Sequence, residues 1–473
     1  MELSVVVLAA GQGSRMKSPL PKVLHAIGGK PMLEHVLSTA TSLSPEKIIV
    51  VHGFEGEQVR QHFANLPIQW VYQKKQLGTG DAVATALPLI PKSHRVLILY
   101  GDVPLIASET LKRLLRTAPP TGVGLLTTFA LDPTGLGRII RDQNSDILRI
   151  VEEKDANEAE KQIKEVNTGI FVVPCSFLSR WLPALENNNA QKEYYLTDII
   201  LFAAKDQVQI ISTSPYVPEE VLGVNDKVQQ SVLERYYQNK QAKRLMEKGV
   251  WIADPARFDL RGHLEIEPDG RLDINIVLQG HNKIGHNSQI GPNCVIIDCE
   301  IADNVTILAN SYLENVKISS NCTIGPFARL RPGTELAENV SIGNFVEVKN
   351  AQVGHHSKIN HLSYIGDAVL GERVNIGAGT ITCNYDGASK HLTHIEDEVH
   401  IGSDTQLVAP VTVKKGATIG AGATIRHEVP AGGLTVTHQL KQKTDIHWQR
   451  PKKQKPIAQS TEEETICVES QQG

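Results

Sequence analysis

Short apolar, β-branched runs alternate with longer amphipathic stretches through the first half of the chain. The runs that we predict as strands are residues 4–10, 47–51, 95–100, 122–128 and 169–173. This alternation is typical of an α/β domain built on a mainly parallel sheet. Ligands of such sheets bind beyond the carboxyl ends of the strands, so we expect the chemistry of this half in the loops that follow these runs.

The pattern changes at residues 226–249, which are rich in Lys, Gln, Glu and Leu and contain no proline. Apolar positions recur there near helical spacing, which predicts a linking helix. Asp254-Pro255 follows, and long helical patterns largely stop after it. We therefore predict a first domain over residues 1–227, a linker helix over 228–248 and a second domain over 249–450.

A period of six residues governs the second half of the chain. The aliphatic residues that follow it form two series, Ile318, Ile324, Leu330, Leu336, Ile342, Val348 and then Ile401, Leu407, Val413, Ile419, Ile425. Such a period predicts a solenoid, in which short strands stack and bury a continuous aliphatic column. The register breaks over residues 376–401, where Asn384-Tyr385-Asp386-Gly387 indicates an excursion from the coil.

Composition narrows the possible functions. The chain has 473 residues, of which 41% are hydrophobic and 21% charged, and its formal net charge is −4. These values fit a globular protein of several domains and disfavour a scaffold that binds nucleic acid. The apolar runs are too short to span a bilayer and lack the flanks of a signal peptide, so we expect a cytoplasmic protein without membrane insertion. The six cysteines include no Cys-x-x-Cys pair, which argues against a zinc site and a disulfide framework.

A glycine-containing loop, Leu8-Ala9-Ala10-Gly11-Gln12-Gly13-Ser14-Arg15-Met16, follows the first predicted strand. Glycines let the backbone approach a ligand closely, and exposed N–H groups of such a loop bind phosphate oxygens. The spacing is neither that of a Walker loop nor that of a dinucleotide-binding loop. Arg15 and Lys22 add two cations, as expected for a triphosphate and a second anionic substrate.

Past residue 450 the chain turns polar, and we predict a flexible tail over 451–473.

These motifs resemble the signature of sugar-1-phosphate nucleotidyltransferases. After the loop and Pro21-Lys22, the series continues with Gln73, Gln76-Leu77-Gly78-Thr79-Gly80, Tyr100-Gly101-Asp102-Val103-Pro104, Gly135-Leu136-Gly137-Arg138, Val151-Glu152-Glu153-Lys154, Asn167-Thr168-Gly169 and Gly223-Val224-Asn225. Together with the six-residue repeats, this order resembles the family of bacterial bifunctional N-acetylglucosamine-1-phosphate uridyltransferases and glucosamine-1-phosphate acetyltransferases. The resemblance covers nearly all of the chain to Arg450.

For the first domain, the resemblance implies a Rossmann-like α/β nucleotidyltransferase fold with a uridyltransferase site. Asp102 and Asn225 would hold Mg²⁺, a hard cation that offsets phosphate charge. The residues implied to bind UTP or the UDP-sugar are Leu8, Ala9, Ala10, Gly11, Arg15, Lys22, Gln73, Gly78, Thr79, Tyr100, Gly101, Asp102, Gly137, Glu152, Asn167 and Asn225. In the implied reaction, the sugar phosphate attacks the α-phosphorus of UTP and expels pyrophosphate.

For the second domain, the resemblance implies a left-handed parallel β-helix that forms homotrimers and carries an acetyltransferase site. His361 is the implied general base, since an imidazole, with an ordinary pKa of about 6.5, can remove a proton from an attacking amine. The implied binding residues are Arg331, Lys349, Tyr364 and Asn375 for the sugar phosphate and Ala378, Asn384, Tyr385, Ser403, Ala421 and His438 for acetyl-CoA.

Three details of this second site depart from the pattern or stay open. We expect Glu347 to orient His361. Cys383 is an alternative candidate as a covalent nucleophile, although nothing in its sequence surroundings lowers a thiol pKa. His438 stands where the family usually carries an arginine, and a neutral imidazole is a weaker partner for the phosphates of CoA, for which Lys441 or Lys443 could compensate.

Two functions fit these patterns. In the first, one enzyme acetylates glucosamine-1-phosphate in the second domain and transfers uridylyl to the product in the first, which yields UDP-N-acetylglucosamine for peptidoglycan and lipopolysaccharide synthesis. In the second, only the nucleotidyltransferase is active and the solenoid is a structural, trimerising platform. The combination of His361, Tyr364 and Asn384-Tyr385 favours the first function, because a purely structural solenoid would not need it.

Overall fold

The computed structural model describes residues 2–53, 56–437 and 444. The chain divides into two compact units, one built from the residues up to Leu264 with Val277–Gly280, the other from Glu265–Ile276 and the described residues from His281 onward. The predicted tail lies outside the described residues, as do His438, Lys441 and Lys443. Within the described ranges, no helix is both long and apolar enough to cross a membrane.

The first unit is an α/β domain, as the alternating pattern predicts. Its strands are β1 (Leu3–Ala9), β2 (Ala26–Ile27), β3 (Lys30–Pro31), β4 (Lys47–His52), β5 (Gln69–Tyr72), β6 (Arg95–Tyr100), β7 (Val123–Phe129), β8 (Arg138–Arg141), β9 (Ile147–Val151), β10 (Glu165–Pro174), β11 (Ile210–Thr213) and β12 (Trp251–Ile252). Its helices are α1 (Met32–Thr41), α2 (Gly56–His62), α3 (Thr79–Ala86), α4 (Ser108–Thr117), α5 (Glu158–Lys161), α6 (Cys175–Trp181), α7 (Ile199–Lys205) and α8 (Lys227–Glu247).

The main sheet runs in the order β11-β7-β10-β6-β1-β4-β5. The strands β6, β1, β4 and β5 are parallel, in agreement with the prediction. β10 instead runs antiparallel to both β6 and β7, and a β8–β9 hairpin extends from it. The sequence does not reveal this reversal, because a strand buried on both faces has the same apolar pattern in either direction.

Helices cover both faces of this sheet, and β1 shows how. Val6 packs in a cluster with residues of α3, α6 and α7, whereas Val5 and Val7 pack in a cluster with residues of α1 and α4. All three valines are fully buried. Since successive side chains of a strand point to opposite faces, this short run packs against both helical layers. The loop after Ala9 therefore follows a strand that is buried on both faces.

The helix predicted over residues 228–248 corresponds to α8, which begins after Asp226 and lies within the first unit. The Asp226 side chain accepts a hydrogen bond from the Gln229 backbone N–H at 2.8 Å, as in an N-cap. Gln238 is fully buried on this helix, and its amide pairs with both backbone groups of Leu260. A buried amide with both groups paired ties the helix to the segment that follows it.

The solenoid consists of short strands that stack coil on coil. They are β13 (Phe258–Ile266), β14 (Arg271–Leu272), β15 (Ile276–Ile284), β16 (Gln289–Ile290), β17 (Val295–Ile297), β18 (Glu300–Ile301), β19 (Thr306–Ile307), β20 (Tyr312–Glu314), β21 (Val316–Ile318), β22 (Thr323–Ile324), β23 (Arg329–Leu330), β24 (Thr334–Leu336), β25 (Ser341–Asn344), β26 (Glu347–Val353), β27 (Lys358–His361), β28 (Tyr364–Leu370), β29 (Asn375–Ile376), β30 (Ile381–Cys383), β31 (Thr393–Ile395), β32 (His400–Ile401), β33 (Gln406–Val408), β34 (Val411–Val413), β35 (Thr418–Ile419), β36 (Thr424–Ile425) and β37 (Leu434–Thr435).

Parallel pairings join each strand to its counterpart one coil later, which makes a β-helix with three faces. One face contains β22, β25, β27 and β29, a second contains β23, β26, β28 and β30, and a third contains β24 and the later halves of β26 and β28. Every residue of the two predicted six-residue series is at most 4% exposed. The period therefore marks the aliphatic interior column, and the predicted solenoid is confirmed.

The break in the period corresponds to residues 384–391, which we call the excursion. Tyr385 and Lys390 form an antiparallel bridge within it. The Asp386 carboxylate accepts hydrogen bonds from the backbone N–H groups of Ala388 and Ser389, both at 2.7 Å, and lies 2.7 Å from His391 Nε2. Those partners, with Ser389 first, lower the pKa of Asp386 to about 2. The excursion is thus a small hairpin closed by its own aspartate.

Two candidate active sites

A cavity of about 480 Å³ opens at the carboxyl ends of β1 and β6 in the first unit. The predicted residues that line it are Leu8, Ala9, Ala10, Gly11, Arg15, Lys22, Gln73, Gly78, Thr79, Tyr100, Asp102 and Asn225. Gly101 lies behind them, with its N–H donating to the Leu8 carbonyl oxygen at 2.9 Å. Gln76 and Glu193, which were not among the predicted binding residues, also line the cavity. Glu193 belongs to a distant loop that only the tertiary fold brings here.

The glycine-containing loop brings its backbone close to Lys22. Gly13 has a φ of +62°, and a Cβ at this position would lie 2.7 Å from Lys22 Cβ. Both the left-handed conformation and the close approach therefore require glycine here. No protein atom would contact a Cβ at Gly11, which leaves the space above that residue open. The loop can present its backbone to a ligand while Lys22 is held beside it.

Asp102 and Asn225 converge on one cation. Lys22 Nζ forms a salt bridge with Asp102 Oδ2 and lies 3.3 Å from Asn225 Oδ1. The Val224 N–H donates to the Asp102 carbonyl oxygen at 2.9 Å, which holds the two residues together although they are far apart in sequence. A carboxylate oxygen and an amide oxygen aimed at one point are donors that Mg²⁺ prefers, so this pair fits the ion that the resemblance implies.

Gln73 lines the cavity with its side chain held by hydrogen bonds within the protein. It is 3% exposed, and its Nε2 donates to the Gly78 carbonyl oxygen at 3.2 Å and to Asp81 Oδ2 at 2.7 Å. Both amide hydrogens are therefore used within the protein. Its Oε1 is the acceptor that this orientation offers to a donor on a nucleobase edge.

Gly137, Glu152 and Asn167 do not line the cavity, but they lie together. The Asn167 N–H donates to the Gly137 carbonyl oxygen at 2.8 Å, and a Cβ at Gly137 would lie 3.4 Å from both Glu152 carboxylate oxygens. Glu152 accepts from Thr197 Oγ1 at 3.0 Å, and burial raises the pKa of its carboxyl. The three residues form a polar cluster of the kind that binds hydroxyl and amide groups.

Tyr100 connects this cluster to the cation-binding residues. Burial raises the pKa of its phenol well above the ordinary value, and the charges of Glu152 and Asp102 raise it further. Both carboxylates thus act on the same phenol, which stays protonated and able to donate a hydrogen bond. Tyr100 also packs on Gly169, where a Cβ would lie 2.5 Å from Tyr100 Cε2.

The second unit carries a cluster of cations around Lys349. Lys390 of the excursion lies beside it, and this second ammonium lowers the pKa of Lys349. Arg331 Nη1 donates to Glu347 Oε1 at 2.8 Å, and Glu347 is paired with Tyr364 in the β26–β28 register. Arg331, Glu347 and Tyr364, which belong to three coils, thus lie together on one face. Lys390 was missed, because its place next to Lys349 depends on the path of the excursion.

His361 lies on the neighbouring face at the end of β27. Its side chain is exposed, and Nδ1 lies 3.2 Å from Asn344 Oδ1. The expectation that Glu347 orients His361 is therefore wrong. β25, and not β26, pairs with the strand that carries the histidine, and Glu347 instead accepts a hydrogen bond from Arg331.

Three of the residues implied to contact acetyl-CoA follow one another in a column that starts at His361. Backbone hydrogen bonds link successive coils from Gly379 N to the His361 oxygen, from Asp404 N to the Ala378 oxygen, and from Gly422 N to the Ser403 oxygen. Ala378, Ser403 and Ala421 therefore follow one another along a single corner, and Asn375 begins the strand that leads to it. All three side chains are small, and none of them is buried.

Asn384 and Tyr385 lie at the start of the excursion, next to Cys383. Asn384 is 8% exposed, with its Nδ2 lying 3.3 Å from Tyr364 Oη, whereas the Tyr385 side chain is exposed and donates to the Gly387 carbonyl oxygen at 2.8 Å.

Burial raises the pKa of the Cys383 thiol, which disfavours the thiolate that a nucleophile needs.

Comparison with known proteins assigns this architecture to a family. Residues 5–195 match the MobA-like NTP transferase domain, residues 260–381 the GMPPB C-terminal domain, and residues 392–427 six repeats of the bacterial transferase hexapeptide. The bifunctional protein GlmU of Alkalilimnicola ehrlichii is 52% identical over 450 residues, which cover 95% of this chain and 96% of that protein. GlmU of Marinobacter nauticus is 54% identical over 451 residues, which cover 95% and 99%. The chain belongs to the bifunctional GlmU family.

Membership of the GlmU family confirms the resemblance drawn from the motifs. The chain is a bifunctional transferase, with an NTP transferase domain at its amino-terminal side and a hexapeptide transferase domain after it. The two constellations described above, one in each unit, are the candidate sites for the two GlmU activities. The cation-binding pair Asp102 and Asn225 belongs to the first, and His361 with the cations around Lys349 belongs to the second.

A methyl group at Gly169 should disturb the GlmU nucleotidyltransferase site through Tyr100. Gly169→Ala places a Cβ against the Tyr100 ring at a residue with a φ of +80°. We expect kcat/KM of uridylyl transfer for the sugar phosphate to fall about tenfold, because small displacements of positioning groups are costly. Gly135→Ala is the matched control, since Gly135 has a φ of +81° but open space around its Cβ. Equal losses in both variants would mean that backbone strain alone is responsible.

Proposed function

We propose that this chain makes UDP-N-acetylglucosamine in two steps at two separate sites. In the second unit, glucosamine-1-phosphate is acetylated by acetyl-CoA, and in the first unit the product receives a uridylyl group from UTP. The observation that carries this proposal is the match to bifunctional GlmU proteins over 95% of the chain. A constellation suited to each reaction, one in each unit, supports it.

For uridylyl transfer, we propose that the loop after β1 and Arg15 bind the triphosphate, while Gln73 accepts from the base. Asp102 and Asn225 would hold Mg²⁺, which supplies charge neutralisation for the phosphates. Lys22, which bridges these two oxygens in the structure, would then turn to the phosphate oxygens and stabilise negative charge on them. A phosphate oxygen of the sugar forms the new bond to the α-phosphorus, and the bond to the pyrophosphate oxygen breaks.

The polar cluster of Gly137, Glu152 and Asn167 would bind the acetylated sugar beside Tyr100. Carboxylate and amide oxygens accept from sugar hydroxyls, and the Asn167 amide can donate to a carbonyl such as that of an acetamido group. The proximity of Glu152 and Asp102 to the same phenol supports a short path from this cluster to the triphosphate.

For acetyl transfer, we propose direct attack of the substrate amine on the thioester carbon. The new C–N bond forms as the C–S bond breaks, coenzyme A leaves as the thiolate or thiol, and His361 takes the proton of the amine. Asn344 would orient the imidazole through Nδ1. Arg331, Lys349 and Lys390 would bind the sugar phosphate, and the juxtaposition of three cations is typical of a site for a dianion.

The corner formed by Ala378, Ser403 and Ala421 would accommodate acetyl-CoA, with the neutral polar side chains of Asn375, Asn384 and Tyr385 near the thioester. Three small residues in line after His361 support this placement. We propose that His438, in the position that the family usually gives to arginine, binds the phosphates of CoA less tightly than an arginine would.

We propose that the chain forms a homotrimer through its solenoid, which we take to be left-handed as in the family. Phe327, Phe345 and Leu362 occupy equivalent corners of successive coils and are 49%, 55% and 64% exposed. The two phenylalanine rings stack with centroids 5.3 Å apart. A contiguous exposed apolar ridge of this kind is typical of an interface between subunits.

The described cysteines are unpaired thiols, which supports a cytoplasmic location.

Removal of the Lys390 ammonium should weaken binding of the sugar phosphate. In Lys390→Ala we expect KM for glucosamine-1-phosphate to rise about tenfold with kcat nearly unchanged, since a charge-assisted hydrogen bond is worth about 1.5–3 kcal/mol. Initial rates of thiol release at varied sugar phosphate measure both constants. Lys317→Ala removes an exposed lysine from another face and should leave them unchanged. An unaltered KM in Lys390→Ala would exclude Lys390 from the phosphate site.

The two half-reactions, measured separately on the full chain, test the proposed function. Thiol release from acetyl-CoA with glucosamine-1-phosphate, without UTP, reports the second unit. UDP-N-acetylglucosamine formation from N-acetylglucosamine-1-phosphate and UTP reports the first. Both activities are expected. If UDP-N-acetylglucosamine forms but no thiol is released, the solenoid is a structural platform. CoA binding through His438 is then the first step to examine.

A further inference from the structure

Asp367 occupies an unusual position for a carboxylate in the solenoid. It stands at a corner stacked on Asn350 of the preceding coil, and both residues have left-handed backbone, with φ values of 48° and 45°. Aspartate and asparagine are the side chains that tolerate this conformation best. Asp367 is only 8% exposed, so its carboxylate needs partners within the protein.

Those partners come from two different directions. Asn350 Nδ2 donates to Asp367 Oδ1 at 2.6 Å, and Asn384 Nδ2 donates to Asp367 Oδ2 at 2.6 Å. Asn350 belongs to the coil below, whereas Asn384 begins the excursion. Both oxygens of a carboxylate can accept hydrogen bonds. A neutral amide has only one accepting oxygen, because its other terminal group is an NH2 donor. Asp367 thus joins the excursion to the regular coils.

The contact continues into the proposed acetyltransferase site. The same Asn384 Nδ2 lies 3.3 Å from Tyr364 Oη. Amide and phenol share the space above Gly366, where a Cβ would lie 2.8 Å from Asn384 Nδ2. The charge of Asp367 also opposes the effect of Lys390 on the pKa of Lys349. Asp367 therefore acts on both parts of the site without belonging to the surface that a substrate would reach.

We propose that Asp367 is a positioning residue for acetyl transfer, which orients the Asn384 amide and, through it, Tyr364 and the excursion. This inference rests on the proposed acetyltransferase function of the second unit. The carboxylate itself takes no part in bond making. Its loss should misalign the Asn384 amide and the Tyr364 phenol while it leaves the three proposed phosphate-binding cations in the chain.

The test compares single and double variants of the full chain by thiol release from acetyl-CoA with glucosamine-1-phosphate. In Asp367→Asn, the new amide must set a donor against Asn350 or Asn384, and we expect kcat to fall about tenfold with KM for the sugar phosphate changed less than about threefold. Asn350→Asp combined with Asp367→Asn moves the carboxylate one coil down. The new amide can then donate to the relocated carboxylate and accept from Asn384, so most of kcat should return.

Two controls separate positioning from a general loss of structure. Asp298→Asn makes the same change at another left-handed corner, with φ 51°, that is exposed and does not contact the excursion, and it should leave kcat unchanged. Uridylyl transfer by the first unit should remain at the wild-type rate in every variant. An unchanged kcat in Asp367→Asn, or no recovery in the double variant, overturns the inference. Absence of thiol release by the wild type overturns the proposed acetyltransferase function and this inference with it.

Discussion

Asp102→Ala is expected to reduce uridylyl transfer about a thousandfold, with little effect on acetyl transfer. Asp102 supplies the one carboxylate of the proposed Mg²⁺ pair, and it is also the partner that holds Lys22 beside the glycine-containing loop. The variant therefore loses charge stabilisation of the transferring phosphate and the position of a cation, and removal of one such stabilising group costs about 10²–10³-fold in rate. Pyrophosphate release at varied magnesium concentration measures the effect.

The charge-matched control for this variant is Asp146→Ala. Asp146 is an exposed aspartate in the same unit, at the turn between β8 and β9, and should be replaceable without loss of rate. The dependence on magnesium distinguishes a metal ligand from a structural residue, because a lost ligand raises the magnesium concentration needed for half-maximal rate. Wild-type pyrophosphate release by Asp102→Ala at low magnesium would remove Asp102 from the metal site.

His361→Ala should lower kcat of acetyl transfer about a thousandfold and leave uridylyl transfer intact. General base catalysis contributes about 10²–10⁴-fold, and His361 is the histidine that stands at the head of the proposed acetyl-CoA corner. KM for acetyl-CoA should change little, since the corner residues that follow His361 are unaltered. Thiol release without UTP measures kcat and KM directly.

His394→Ala provides the comparison, because His394 is an exposed histidine on a strand of the same solenoid. It should retain full activity. If Cys383→Ala abolished thiol release while His361→Ala did not, acetyl transfer would proceed through an acyl-enzyme and direct attack would be wrong. The raised pKa of the Cys383 thiol argues for the opposite result.

Much of the fold could be predicted from the sequence, because buried residues recur at short, regular spacings along the chain. The alternation of apolar runs and amphipathic stretches predicted the α/β unit, and its first strand coincides closely with β1. The six-residue period predicted the solenoid, and its aliphatic residues are buried without exception. The antiparallel course of β10 was not predictable, since strand direction depends on neighbours and not on the apolar content of the strand.

The candidate sites divide in the same way. The glycine-containing loop is local, so its glycines and Arg15 could be recognised directly, and the motifs that resemble the family led to Asp102 and His361. Contacts across coils could not be derived from spacing alone. Glu347 was expected to orient His361 but binds Arg331, and Lys390 was missed, because a hairpin of a few residues decides which side chains meet.

By itself, the sequence determined the two architectures, the chemistry available in each and the family to which the chain belongs. These properties follow from residue type and from periods that repeat over a few positions. Only the tertiary structure decided that Lys22 bridges Asp102 and Asn225, and that Asp367 joins Asn350 to Asn384. The physical reason is that hydrogen bonds and charge pairs act over about 3–4 Å, and the stacking of strands and coils alone determines which distant side chains come within that range.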